Sequence, residues 1–109
     1  MNWNILSTEE QLTAVLEKSF TRPQVIFKHS TRCSISSMVK SRLEKEEAPA
    51  HIDFHYLDLI VFRSLSNKIA EDLQVHHESP QVILLQNGEP SFDESHMAIR
   101  MNDIVEAVA

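Results

Sequence analysis

Gln24-Val25-Ile26-Phe27-Lys28-His29, His51 through Leu59, and Gln81-Val82-Ile83-Leu84-Leu85-Gln86 are short apolar or β-branched runs set between segments whose apolar residues recur at helical spacing. Runs of that length and content fit strands, and strands alternating with helices restrict a chain to the α/β class. A first amphipathic helix starts at the capping sequence Ser7-Thr8-Glu9-Glu10, carries Leu12, Val15, Leu16 and Phe20, and ends before Pro23. A second runs from Ser34 to about Glu46, with Ile35, Met38, Val39 and Leu43 on one face and Lys40, Arg42, Glu44 and Lys45 on the other. A third spans Arg63 to Leu73, and a C-terminal helix starts at Asn102 or Asp103 with Ile104, Val105 and Val108 as its apolar face. Asn87-Gly88 is a hairpin signal, so residues 90–94 read as a short antiparallel edge strand.

A right-handed crossover places the first two strands parallel in one sheet. The order predicts a three-layer α/β/α sandwich around a central mixed sheet of about four strands. A length of 109 residues suits one domain with one core. The start Met1-Asn2-Trp3-Asn4 lacks the basic and apolar regions of a signal peptide, and no apolar run reaches the ~18 residues of a membrane span. A cytoplasmic location is expected. The net charge of −6, with basic residues scattered along the chain, argues against nucleic acid or an anionic membrane as partner. Trp3, Leu6 and the first helix are left to cover either a sheet face or a partner.

Chemistry centres on Cys33, the only cysteine. It falls where the first strand gives way to the second helix, at the carboxyl end of a strand, where open α/β sheets place their ligands. With one thiol, no internal disulfide can form, and a lone reactive thiol suits a reducing compartment. At a helix N-terminus the unpaired N–H groups and the positive dipole end favour the thiolate, which is the attacking species in disulfide exchange. Thr31, Arg32, Ser34 and Ser36 surround it in sequence; Arg32 and Lys28 would add positive charge if they pointed at the sulfur, and His29 only when protonated.

These residues resemble a known family. The Thr-Arg-Cys33-Ser-Ile-Ser36 turn, together with Ser79-Pro80 before an apolar strand, looks like a thioredoxin-like fold, a likeness that covers residues 1–109 as one thioredoxin-like domain. More closely, Phe27-Lys28-His29-Ser30-Thr31-Arg32-Cys33-Ser34-Ile35-Ser36 is similar to the Lys-His-Ser-Thr-x-Cys-Pro-Ile-Ser segment of the monothiol bacilliredoxins of bacteria. Ser34 departs from that pattern, standing where the family commonly has Pro. The resemblance implies a monothiol thiol-disulfide oxidoreductase that strips a low-molecular-weight thiol, bacillithiol, from S-thiolated client proteins through Cys33. No bound cofactor is implied; bacillithiol is a co-substrate. It further implies a cis Pro80 facing the cysteine, with Ser79 offering its backbone to a substrate groove.

Position 36, where dithiol oxidoreductases hold a resolving cysteine, is Ser36, so an adduct on Cys33 must be released by an outside thiol. Ser36 is then either a hydroxyl that hydrogen-bonds the thiolate or a helix-surface residue. The competing reading of the whole chain is a thioredoxin-like binding or scaffold module whose Cys33 is modified without turnover. Six histidines include the His76-His77 pair and the strand residues His51 and His55, but none has zinc-site spacing, so no metal is expected. Cys33-Ser34-Ile35-Ser36 parallels the Cys-Gly-Phe-Ser of cluster-sharing monothiol glutaredoxins only without its Gly.

Overall fold

In the computed structural model, which describes residues 1–108, five strands and four α-helices alternate along the chain. In chain order they are β1 (Trp3–Ile5), α1 (Glu9–Lys18), β2 (Gln24–His29), α2 (Ser34–Lys45), β3 (Asp53–Asp58), α3 (Arg63–Leu73), β4 (Gln81–Gln86), β5 (Glu89–Ser95) and α4 (Met101–Val108), with a 3₁₀ turn at His96–Ala98 before α4. The sheet order is β1-β3-β2-β4-β5. Strands β1, β2 and β3 run parallel; on the other side of β2, β4 runs antiparallel to it and β5 antiparallel to β4. This is the expected α/β sandwich, with one strand more than expected.

That extra strand is β1, which pairs with β3 from Trp3↔Phe54 to Ile5↔Tyr56. Three residues are too few to show a period, which is why the sequence hides it. Trp3 belongs to the sheet: its ring stacks on Phe27 at 5.5 Å between centroids, meets Phe54 and Tyr56 edge-on, and donates from Nε1 to Glu44 on α2 at 2.8 Å. Leu6, just past the strand, is buried on the other face.

Side-chain alternation along β2 sorts the core into two layers. Val25 and Phe27 join Phe54, Val82 and Leu84 beneath α2 and α4, through Val39, Leu43, Met101 and Ile104. Ile26 joins Leu57, Ile83 and Leu85 beneath α1 and α3, through Leu12, Val15, Leu65 and Ile69. The α1 start is a capping box: Thr8 Oγ1 accepts from the Gln11 N–H, and Gln11 Oε1 accepts from the Thr8 N–H.

Two helix faces differ from expectation. On α2 the buried stripe is Ser36, Val39 and Leu43, whereas Ile35 (41% exposed) and Met38 (54%) look outward beside the thiol turn. Phe20 is not part of the α1 face either; it follows the helix and is 64% exposed. Its ring covers the β4–β5 turn, where Asn87 (φ 57°) and Gly88 (φ 79°) both take the left-handed conformation of a type I′ hairpin. Ser19, the α1 C-cap, anchors that turn by accepting from the Asn87 N–H with its carbonyl and from the Gly88 N–H with its hydroxyl, each at 2.8 Å.

A Cβ at position 88 would sit 2.5 Å from Phe20 Cζ, so Gly88→Ala meets both a positive φ and a ring. We expect it to lower unfolding free energy by about 1–2 kcal/mol in urea titrations. In a Phe20→Ala background the cost should fall to the backbone part alone, about 1 kcal/mol.

Candidate active site

Cys33 is the N-cap of α2, with extended backbone (φ −108°, ψ 118°) and a half-buried side chain. Its N–H donates to Ser30 O at 3.2 Å, and its carbonyl accepts the first helical bond, from the Ser37 N–H at 3.1 Å. The N–H groups of Ser34, Ile35 and Ser36 therefore open toward the cap, and the Cys33 side chain makes no capping hydrogen bond to them. No acidic residue lies in the first turn to offset the positive helix end. Thr31, Arg32 and Ser34 are exposed around the thiol turn.

Beneath that turn sits a buried neutral pair. Ser36 and His29 are both buried, and Ser36 Oγ lies 2.7 Å from His29 Nδ1 while accepting the Ser30 N–H at 3.1 Å. Burial, helped by nearby Lys40, pushes the His29 pKa below its ordinary value against the pull of Asp58 and Glu44. A neutral ring protonated on Nε2 lets the Ser36 hydroxyl donate to Nδ1 while its oxygen accepts the Ser30 N–H. Ser36 is accordingly neither a surface residue nor a free hydroxyl for the thiolate. It braces the turn from below. His29, being neutral, stacked on Phe27 and tilted against Tyr56, brings no positive charge to the sulfur.

Lys28 is displaced from its expected role in a different way. One residue before His29 on β2, it faces the opposite layer, away from α2 and the thiol turn. Its ammonium is fully buried, donating to Ser66 O on α3 at 3.1 Å and lying 3.3 Å from His77 Nδ1. Burial lowers its pKa from 10.5 to about 8.

The second wall of the site comes from β4. Register pairs Lys28 with Gln81, so the preceding residues Ser79 and Pro80 lie beside the carboxyl end of β2, from which the chain passes into the thiol turn. The Ser79–Pro80 bond is cis. Pro80 O accepts the His96 N–H at 2.9 Å, whereas Ser79 makes no backbone hydrogen bond among the described residues and its Oγ is buried without a partner. A third segment closes the same end: the Leu59 N–H, after β3, donates to His29 O at 3.0 Å. Cys33, Ser79 and Pro80 are thus brought to one end of the sheet. The Lys28–Ser66–His77 contact behind them was missed in sequence, since residues 38 and 49 positions apart give no local signal.

Residues 4–104 match the family described as monothiol bacilliredoxin BrxC. The chain belongs to that family. Among solved structures it is similar to a protein described as having a thioredoxin fold and a suggested oxidoreductase activity, at 31% identity and TM-score 0.83, covering 94% of this chain and 90% of the other. It shares its fold with the thioredoxin of Malassezia sympodialis (17% identity, TM-score 0.73, 98% and 88% covered) and with Fasciola hepatica thioredoxin (16%, 0.70, 96% and 95%). A thiol redox role follows for the chain, and the thioredoxin-like expectation holds. Among the described residues no helix is long and apolar enough to cross a membrane, and no group of three or more His, Cys, Asp or Glu could hold a metal ion.

Ser36→Ala should lower stability by about 1–3 kcal/mol in denaturant titrations, because it strands the Ser30 N–H and unpairs His29 in a buried site. Acid should act in the same direction. His29, His55 and His77 all have pKa values lowered chiefly by burial, so the unfolded chain binds more protons as pH falls through the ordinary histidine range. The histidine contribution is then full above about pH 6.5 and is lost below it. Lys28 adds a separate window: between about 8 and 10.5 the unfolded chain again holds the extra proton, so stability rises with pH there. Tm should rise from pH 5 to 7, and between pH 8 and 10 wild type should gain on Lys28→Met.

Proposed function

We propose that the chain is a monothiol oxidoreductase that removes a low-molecular-weight thiol, bacillithiol, from S-thiolated proteins. The observation that carries this reading is the pairing of an accessible Cys33 at the α2 N-cap with a serine at position 36 whose hydroxyl is already committed to His29 and Ser30. One thiol is presented and no second one can resolve it. Membership of the monothiol bacilliredoxin family supports bacillithiol as the small thiol.

The Cys33 thiolate attacks the bacillithiol sulfur of the mixed disulfide. A new Cys33–bacillithiol disulfide forms, the client–bacillithiol bond breaks, and the client sulfur leaves as a thiolate that takes a proton from solvent. A second low-molecular-weight thiol then attacks the adduct, leaves joined to bacillithiol as a disulfide, and restores the Cys33 thiolate. Electrons come from that outside thiol, so the cycle needs no bound cofactor. The N–H groups of Ser34, Ile35 and Ser36 open at the cap where the sulfur reacts, and Arg32 is exposed next to Cys33 in the chain. Thr31 and Ser34 flank it, and Ser79, with its uncommitted backbone, lines the groove with Pro80. A reducing, cytoplasmic setting suits such a cycle.

Intact mass spectrometry of the protein with a bacillithiolated client tests the first step. The bacillithiol mass should move onto wild type and release reduced client, whereas Cys33→Ala should leave the client modified. If wild type takes up neither bacillithiol nor glutathione from loaded clients, the enzyme reading fails in favour of a binding module. Transfer of glutathione alone would replace bacillithiol as the co-substrate.

A further inference from the structure

A fully buried ammonium with no carboxylate beside it is costly to keep, and Lys28 is in that position. No ion pair among the described residues includes it. A methionine or leucine would fill the same space between β2 and α3 without that cost. The position therefore asks for a reason other than packing.

Its contacts supply one. Lys28 Nζ reaches Ser66 O on α3 and His77 Nδ1 in the segment before β4, and Ser66 Oγ closes the triangle at 3.4 Å from the same His77 nitrogen. Lys28 stands five residues before Cys33 on a central strand, and His77 stands three residues before Pro80. The ammonium thus joins the strand that delivers the thiol to the segment that delivers Ser79 and cis Pro80. At its two ends that segment is also tied by Gln81 Nε2 donating to His76 O and by Pro80 O accepting the His96 N–H, both at 2.9 Å, while the stretch between has fewer ties. Ser79 makes no internal hydrogen bond among the described residues, and on the solvent side Glu78 meets only the half-exposed His96 and the exposed His76, at 3.2 and 3.6 Å.

We propose that Lys28 and His77 are a positioning pair that fixes the Ser79–Pro80 segment across from Cys33, and so sets how an extended substrate is held there. The inference rests on the oxidoreductase reading for its kinetic consequence and on the geometry alone for its structural one. The pair acts through the loop, so the intrinsic reactivity of the thiol does not depend on it. Nδ1 of His77 must stay unprotonated to accept from Lys28. Burial, Lys28 and Arg63 favour that state, as does His76, with Glu78 opposing.

The test compares wild type with Lys28→Met, His77→Leu and His77→Asn, the last keeping an acceptor where Nδ1 stands. Three readouts are taken: steady-state kinetics on a bacillithiolated peptide, alkylation of Cys33 by iodoacetamide, and amide hydrogen exchange over residues 77–81. Lys28→Met and His77→Leu should raise KM at least tenfold with kcat and the alkylation rate within twofold, and speed exchange at least tenfold, while His77→Asn stays within threefold of wild type in all three. Unchanged KM, equal losses in KM and alkylation, or His77→Asn behaving like His77→Leu would overturn the proposal. If wild type itself does not turn over the peptide, the oxidoreductase reading is what fails; exchange then decides the positioning role by itself, and unchanged exchange in Lys28→Met ends it.

Discussion

Strand β2 has neighbours on both edges and helices over both faces, and all six of its residues are buried. A strand in that position must satisfy every polar atom it carries inside the protein, because water cannot reach them. Three of its six side chains are polar, and each builds a network. Gln24 donates to Asp53 and meets His55 at 2.7 Å at the amino end. His29 pairs with Ser36 under the thiol turn, and Lys28 meets Ser66 and His77 on the far layer. The burial of one strand thereby dictates where α2 begins, where α3 lies, and where the segment before β4 is held.

The two-residue period of that strand also decides which charges the thiol sees. His29 shares the α2 layer, but burial keeps it neutral. Lys28 keeps a charge at neutral pH, but the sheet stands between it and the thiol turn. What remains at the thiol turn is the N-terminal end of a twelve-residue helix, with Arg32 exposed next to Cys33 in the chain. The exposed Ile35 and Met38 on the first turns of the same helix give that polar edge an apolar border. Open backbone N–H groups therefore face the thiol turn, and the buried Ser36–His29 pair braces it from beneath.

Much of this was legible in the chain. The bounds of β2, α3 and β4 follow from apolar runs and from Pro80, and the hairpin follows from Asn87-Gly88, since those signals are local. Trp3–Ile5 could not be read as a strand because its evidence is a partner fifty residues away, and Ile5 is exposed. The face of α2 was misjudged for a chemical reason: counting apolar residues favours Ile35 and Met38, but the buried place goes to Ser36, whose hydroxyl has two partners waiting in β2 and the turn. The period of β2 already separates Lys28 from His29. Which helix covers which face is a property of the crossover, and without it the ammonium could not be assigned to a side.

In the proposed cycle, the same buried serine shapes the lifetime of the adduct on Cys33. In a dithiol protein the resolving sulfur is part of the molecule, and its effective concentration is fixed by the fold at millimolar or far higher values. With Ser36 in that place, the rate of clearing an adduct from Cys33 is proportional to the free thiol outside. A tenfold fall in that pool lengthens the adduct's life tenfold, with no change in the protein. The forward step carries no such dependence, since it consumes only the modified client. In that cycle the balance between modified and free Cys33 follows the thiol pool, and Ser36→Cys would break that link only after dismantling the contacts of Ser36 to His29 and Ser30 beneath the turn.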